Sequence, residues 1–404
     1  MQIKPILAAL RKHRLATLLI ALEIALACAV LCNASFMIAG RLEAMHVPSG
    51  VDESRLGVVS LQGFAADDAV DLNARVVQAL RGIPGVQSVS VINAVPFGER
   101  AGAAGISLDA ARQHFGGVPH FYVAGPGAFE ALGLQLVAGH APGDADYRPI
   151  DNTVPDGADA IITQSLAEHL WPGANPLGKT FWGLGTHFRV SGIVARLVRP
   201  APPGFGPGQS QWSIFVPARP GTHLAGRYLV RAQPQDLGRV MAATRKAVRT
   251  AAPEVVVDLE QTRTLDELRH DYFEGDRAMT GLLVGVIVAL LLVTDLGIVG
   301  LASFWVAQRR KQIGVRRALG ATRGDILSYF QTENFLIVTF GVGLGVILAY
   351  AINLTLMQFY ELPRLPFWYL PVGAVVLWLL GQLAVLAPAL RASHVPPVVA
   401  TRSV

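Results

Sequence analysis

The chain has 404 residues, with 34 Lys+Arg against 29 Asp+Glu and a formal net charge of +5. Charged residues make up 16% and hydrophobic ones 52%, whereas soluble domains carry roughly 25% charged residues. That balance rules out a disordered chain and argues against a purely soluble one, and two cysteines cannot build a disulfide framework.

In chain order, residues 1–14 form a basic tail, and residues 15–39 are apolar with Glu23 as the only charge. A bilayer crossing needs about 20 such residues, so this is a first predicted span. A cleaved signal peptide is the competing reading. The apolar stretch is too long for a signal core, and Ala25-Leu26-Ala27-Cys28 is an imperfect lipoprotein box, with Ala where Leu is usual. A retained span is therefore expected. Cys28 and Cys32, at i and i+4, read as small packing residues on one helix face.

Residues 40–277 read as a folded α+β domain. The apolar spacing of Asp71–Gly82 predicts a helix, followed by an alternating strand over Val86–Val95. Asp236–Ala251 repeats the helix and Glu254–Leu259 the strand, which suggests two similar halves around a different middle. That middle holds a helix-like stretch at 162–171, a Pro/Gly turn and a strand over His187–Ala195; Arg199–Gln209 reads as a flexible loop. Asp258–Arg277 reads as a polar helix that runs straight into the next apolar segment.

Three more spans are predicted, at 278–306 (interrupted by Asp295), 326–356 (no charge after Glu333) and 367–390 (no charge). A loop at 307–325, a short external loop at 357–366 and a tail at 391–404 connect and end them. Acids inside a membrane are costly and mark structure or function. Glu23 and Asp295 are expected to face the bundle interior, with an interface-setting role preferred over a proton relay. Gly341 and Gly345 make a G-x-x-x-G face suited to close helix packing.

Charge sets the predicted orientation. The two tails and the 307–325 loop carry twelve basic residues against Asp325 alone, while residues 41–277 carry 21 basic and 24 acidic. By the positive-inside rule, both termini and that loop face the cytoplasm and the large domain is exported. The net positive charge thus reflects topology, and no nucleic-acid partner is expected.

Gly173–Thr180 (GANPLGKT) matches the phosphate-binding G-x-x-x-x-G-K-[ST] pattern. That loop needs a strand before it, a helix after it and free backbone N–H groups. Here the predicted order is reversed, and Pro176 removes one donor. The histidines are scattered singly, with no H-E-x-x-H, and no G-x-S-x-G elbow occurs. No catalytic, metal or cofactor site is expected on this chain.

The stretch Gln308–Arg323 (QRRKQIGVRRALGATR) is a basic segment punctuated by Ile313, Val315 and Leu319 and broken by Gly314 and Gly320. On its own it reads as a juxtamembrane segment touching anionic lipid. It also resembles the signature of MacB/FtsX-type permeases of ABC transporters, E-I-G-x-R-[RK]-A-x-G-A. Ile313, Gly314, Arg316, Arg317, Ala318, Gly320 and Ala321 match as they stand. Ile161–Lys179 (IITQSLAEHLWPGANPLGK) resembles that family's exported domain, which gives the phosphate-loop look-alike a benign origin. Pro388–Pro397 loosely resembles its C-terminal ending. Gln308 and Gln312 stand where members often have Glu.

The resemblance implies four transmembrane helices, with a large extracytoplasmic α+β domain between the first and second, in the inner membrane. It implies a non-catalytic permease subunit working with a separate cytoplasmic ABC ATPase, which holds the ATP and Mg, and with a second permease chain in a homo- or heterodimer. It leaves room for a periplasmic adaptor. ATPase coupling would fall on Ile313, Gly314, Arg316, Arg317, Ala318, Leu319, Gly320 and Ala321. Antibiotics, peptides and lipoproteins are the implied substrate range. The alternative is a membrane-anchored sensor or a cell-wall-hydrolase regulator without transport.

Overall fold

The computed structural model describes residues 14–99, 102–150, 153–202, 207–360 and 364–394. Residues 1–13 of the predicted N-tail, residues 395–404 of the C-tail, including the end of the Pro388–Pro397 stretch, and residues 361–363 of the 357–366 loop lie outside the described residues. The chain divides into two compact units, residues 1–42 with 277–404, and residues 43–276.

The first unit contains four helices long and apolar enough to cross a membrane. They are α1 (Arg14–Met45), α7 (Glu274–Gln308), α9 (Arg323–Tyr360) and α10 (Tyr369–Ser393), with a short α8 (Arg310–Ala318) between the second and third. Such helices satisfy their own backbone hydrogen bonds, which is the condition for crossing hydrocarbon. Their mutual core is small-residue rich: Ala21, Ala27, Cys28 and Ala29 of α1 meet Ile337, Val338 and Ala349 of α9, and Ala374 and Leu377 of α10. Large apolar side chains such as Leu19, Leu292, Leu296, Ile347 and Leu383 point outward, each more than half exposed. Exposed apolar surface on this scale needs a lipid or protein cover.

The predicted G-x-x-x-G face lies in this core. A Cβ on Gly341 would come 2.8 Å from Ile24 Cβ, and one on Gly345 only 2.5 Å from Cys28 Cβ. Buried amides add cross-helix hydrogen bonds. Asn33 donates to the Ala349 carbonyl at 3.0 Å, and Asn334 to the Gly381 carbonyl at 2.7 Å.

The second unit is α+β and built from two nested parts. The outer part is a four-stranded antiparallel sheet in the order β12-β1-β11-β2. Strands β1 (Leu56–Gln62) and β2 (Val86–Val91) flank α2 (Ala69–Arg81); β11 (Arg227–Ala232) and β12 (Val256–Asp258) flank α5 (Pro234–Ala251). These are the two halves the sequence suggests, and together they make the split β-α-β arrangement, two βαβ units interleaved in one sheet. Val76 and Leu80 of α2 and Val240 and Val248 of α5 are buried in its core.

Between β2 and β11 the chain builds a second sheet of eight strands, which includes β3 (Ile106–Ser107), β4 (Phe115–Gly117), β5 (His120–Ala124) and β8 (Thr180–Gly183), with the path β4-β3-β8-β9-β7-β10-β5 and β6 (Leu136–Gly139) beside β9. Its central strands β7 (Asp159–Thr163), β9 (Thr186–Val194) and β10 (Ser213–Pro217) are largely apolar inside. Strands buried on both faces read as continuous apolar runs. This corrects the predicted 162–171 helix: Ile162 and Thr163 end β7, and the helix is α4 (Gln164–Leu170) alone.

The predicted continuous helix over Asp258–Arg277 is also corrected. Its first residues belong to β12 and a turn, and α6 (Leu265–Tyr272) starts only at a capping box between Thr264 and Glu267. Phe273, 3% exposed, then turns its side chain into the core, and α7 begins afresh at Glu274.

Candidate functional site

The basic segment after the second apolar helix folds as α8. Its periodicity explains which residues face where, since positions i, i+3, i+4 and i+7 share one face. Ile313 and Gly314 on that face are buried, and Ile313 joins a cluster with Ile326, Phe330, Ala389 and Ala392. Arg317, on the same face, donates to the Ser393 carbonyl. Arg316 lies at the flank with its guanidinium carbon 4.8 Å from the Tyr329 ring centre. The bundle-facing side of α8 is therefore fastened to α9 and α10 by one apolar knob and one charged hydrogen bond.

The opposite face is open. Lys311, Gln312 and Ala318 are exposed, Val315 is 45% exposed and Leu319 83%. Leu319 is a large apolar residue held out at the end of a helix. The helix ends in a Schellman motif. Gly320 N–H donates to the Arg317 carbonyl at 3.2 Å, and Ala321 N–H to the Arg316 carbonyl at 3.0 Å. This closure needs Gly320 at φ +99°, a conformation that side-chain-bearing residues rarely adopt. Thr322 then caps α9: its hydroxyl accepts from Asp325 N–H at 3.2 Å, and its own N–H donates to Asp325 Oδ2 at 2.9 Å.

Sequence reasoning passed over the contact that anchors the other end of α8. Arg309, at its N-cap, donates to both carboxylate oxygens of Glu333, at 3.0 and 2.8 Å. Their side chains are 12% and 1% exposed, and the guanidinium also lies 5.5 Å from the Trp305 ring centre. A buried carboxylate must be paired or it neutralises, so a lone Glu333 inside an apolar segment was the available signal. Alpha8 is thus pinned at Arg309, Ile313 and Arg317, which makes it a stiff element with one free face.

The intramembrane acids do not meet. Glu23 is half-buried on α1, with Oε2 2.8 Å from where a Cβ on Gly297 of α7 would lie. Asp295 is half-buried on α7, whose buried face is carried by Thr294 and Ile298. The Glu23 carboxylate is turned toward α7, with Oε1 buried and without a hydrogen-bond partner among the described residues.

In the inserted domain, the phosphate-loop look-alike has spent its amides locally. Gly178 N–H donates to the Val190 carbonyl at 2.8 Å, Lys179 N–H to the Pro176 carbonyl at 3.1 Å, and Leu177 N–H to Asn175 Oδ1 at 3.1 Å. Lys179 Nζ lies 5.3 Å from the Trp171 ring centre. With α4 before the loop and β8 (Thr180–Gly183) after it, the geometry does not cradle phosphate. The place where the chain enters and leaves the domain is clamped instead. Arg269 of α6 donates to the Met45 and Val47 carbonyls at 2.8 and 2.7 Å and to Glu53 at 2.7 Å. It also stacks 4.9 Å from the Phe97 ring centre. One guanidinium fork thus ties the segment that follows α1 to the helix that precedes α7.

Four span-length apolar helices, a mixed α+β domain between the first and second, and a short basic helix between the second and third have the layout of a polytopic membrane protein. Residues 284–397 match the family described as FtsX-like permease C-terminal. The macrolide export ATP-binding/permease protein MacB of Shewanella sp. (strain W3-18-1) is 26% identical over 244 residues, 58% of this chain and 35% of that protein. The ABC transporter permease YknZ of Bacillus subtilis (strain 168) is 23% identical over 250 residues, 60% of this chain and 61% of that protein. Among solved structures, the periplasmic region of MacB from Actinobacillus actinomycetemcomitans aligns with a TM-score of 0.34 at 15% identity, over 56% of this chain and 95% of that one. A likeness at that level carries no argument of its own. The chain carries an FtsX-like permease domain and is homologous to MacB and YknZ. It spans about a third of the MacB relative's length and about three-fifths of YknZ's.

Proposed function

We propose that this chain is the membrane permease of an ABC-type assembly in the inner membrane, with its termini and α8 on the cytoplasmic side and the inserted domain exported. A separate ATPase chain binds ATP and Mg, grips the free face of α8 and moves it. Because α8 is pinned to α9 and α10, its displacement travels along the spans to the exported domain, where a substrate of the antibiotic, peptide or lipoprotein kind is extruded. A second permease chain completes the membrane part, and a periplasmic adaptor can extend it outward.

The observation that carries this reading is the exposed Leu319, 83% exposed on a helix fastened along its other face. An apolar anchor presented on a rigid element suits a small protein interface. The geometry narrows the expected coupling set. Arg317, Ile313 and Gly314 hold α8 in place, Gly320 and Ala321 end it, and Val315, Ala318 and Leu319 with the flanking Arg316 form the contact face.

The test is capture of the ATPase by the purified full chain. Leu319→Asp should lower capture by about tenfold or more, the scale of an interface anchor, and leave membrane insertion unchanged. Leu136→Asp, at a partly exposed leucine of the inserted domain, should have no effect. Undiminished capture by Leu319→Asp would reject the coupling role.

A further inference from the structure

A groove of about 210 Å³ opens where α7, α8 and α10 end together, lined by Ser303, Val306, Ala307, Arg310, Pro388 and Arg391. Its chemistry is divided. Val306, Ala307 and Pro388 make an apolar wall, Ser303 offers a hydroxyl, and two guanidinium groups stand at the rim with no acid among the lining residues. Arg310 and Arg391 are both exposed. Among the described residues, neither side chain makes a hydrogen bond or an ion pair, in contrast to Arg309 and Arg317 on either side of Arg310. Arg310 lies on the bundle-facing side of α8, away from Leu319, so the groove is separate from the proposed ATPase face. Both arginines sit where an apolar stretch ends, the 278–306 and 367–390 segments, which is the depth of lipid headgroups.

We propose that this groove holds the headgroup of one anionic phospholipid. Its phosphate is bridged by Arg310 and Arg391, its glycerol lies against Ser303, and its acyl chains run down the apolar sides of α7 and α10. Charge complementarity selects this occupant. Two unpaired guanidinia suit a phosphodiester, since arginine offers a planar fork of donors. The apolar wall suits the acyl ends, and basic pockets between transmembrane helices are a known means of holding anionic lipid. The lipid would link α10 to the first turn of α8, which makes the fastening of α8 sensitive to membrane composition. The inference does not depend on the ATPase reading, because binding is measured on this chain alone.

The experiment uses the full chain in detergent, titrated with fluorescent phosphatidylglycerol and, separately, with phosphatidylcholine carrying the same dye, read by anisotropy. Phosphatidylglycerol should bind saturably and phosphatidylcholine at least about tenfold more weakly. At the worth of one basic residue near a lipid surface, Arg310→Gln and Arg391→Gln should each weaken binding about fivefold, and together about thirtyfold. Ala307→Trp, which fills the groove and leaves its charge intact, should abolish saturable binding. Lys311→Gln, on the open side of the same helix, should leave it unchanged. An equal loss with Lys311→Gln, or no loss with Ala307→Trp, would replace the site by a diffuse basic belt and overturn the proposal. Displacement of the lipid by inorganic phosphate would overturn it in favour of a simple anion site.

Discussion

Replacing Gly345 by Ala tests how closely α1 and α9 must approach. The added Cβ would stand 2.5 Å from Cys28 Cβ and 2.8 Å from the Ala25 carbonyl oxygen. Carbon atoms in contact prefer about 3.5–4.0 Å, so the helices must separate by roughly 1 Å. Gly341, one turn earlier, is equally crowded, with Ile24 Cβ at 2.8 Å and the Ala21 carbonyl at 2.9 Å from its would-be Cβ. No local side-chain movement can relieve the clash, since backbone atoms take part at both positions. Overpacking of this kind costs about 1–3 kcal/mol. Gly343 supplies the control, because it lies between the two and meets nothing within 4 Å. Both substitutions gain the same helix propensity, about 1 kcal/mol, so the difference between them isolates the clash. Unfolding midpoints of the full chain in one detergent, followed by helical circular dichroism, should place Gly345→Ala below Gly343→Ala by that 1–3 kcal/mol. Equal midpoints would refute the close α1–α9 seam.

Two further outcomes follow from the inserted domain. His120 is 3% exposed with no partner for Nε2 among the described residues, and burial, aided by the nearby Arg199 charge, pushes its pKa down to about 3. The folded state excludes a proton that the unfolded chain takes up below about 6.5, so stability is lost as pH falls from there toward 3. His120→Gln should flatten that decline in acid-unfolding curves relative to wild type; parallel curves would remove His120 as the cause. Lys179→Ala should leave ATP hydrolysis by the assembled complex within about twofold of wild type, because Lys179 stacks on Trp171 and its loop amides are used internally. An abolished hydrolysis rate with folding intact would contradict this.

The parts legible in the sequence were those whose signal is local. Helical spacing placed α2 and α5, and uninterrupted apolar length placed the spans. Strand order was not legible, because the partners are far apart: β1 pairs Gln62 with Val256, and β2 pairs Val91 with Tyr228. The second sheet was largely missed because β3 (Ile106–Ser107) and β4 (Phe115–Gly117) are too short to show a period. In the basic segment, Ile313, Val315 and Leu319 are equally apolar by type. Only the phase of α8 against α9 and α10 buries the first and exposes the other two. Arg309 and Glu333 are 24 residues apart, and their pairing depends on α8 turning back beside α9.

The most direct test of the coupling account is site-specific photo-crosslinking in intact cells, with a photoreactive residue at Leu319 in one strain and at Val137 of the inserted domain in another. Both positions are more than half exposed, so each can react with whatever lies beside it. An adduct should form between position 319 and a cytoplasmic ATPase chain, and none from position 137. An ATPase adduct at position 137, or its absence at 319 while the complex stays assembled, would contradict the coupling role.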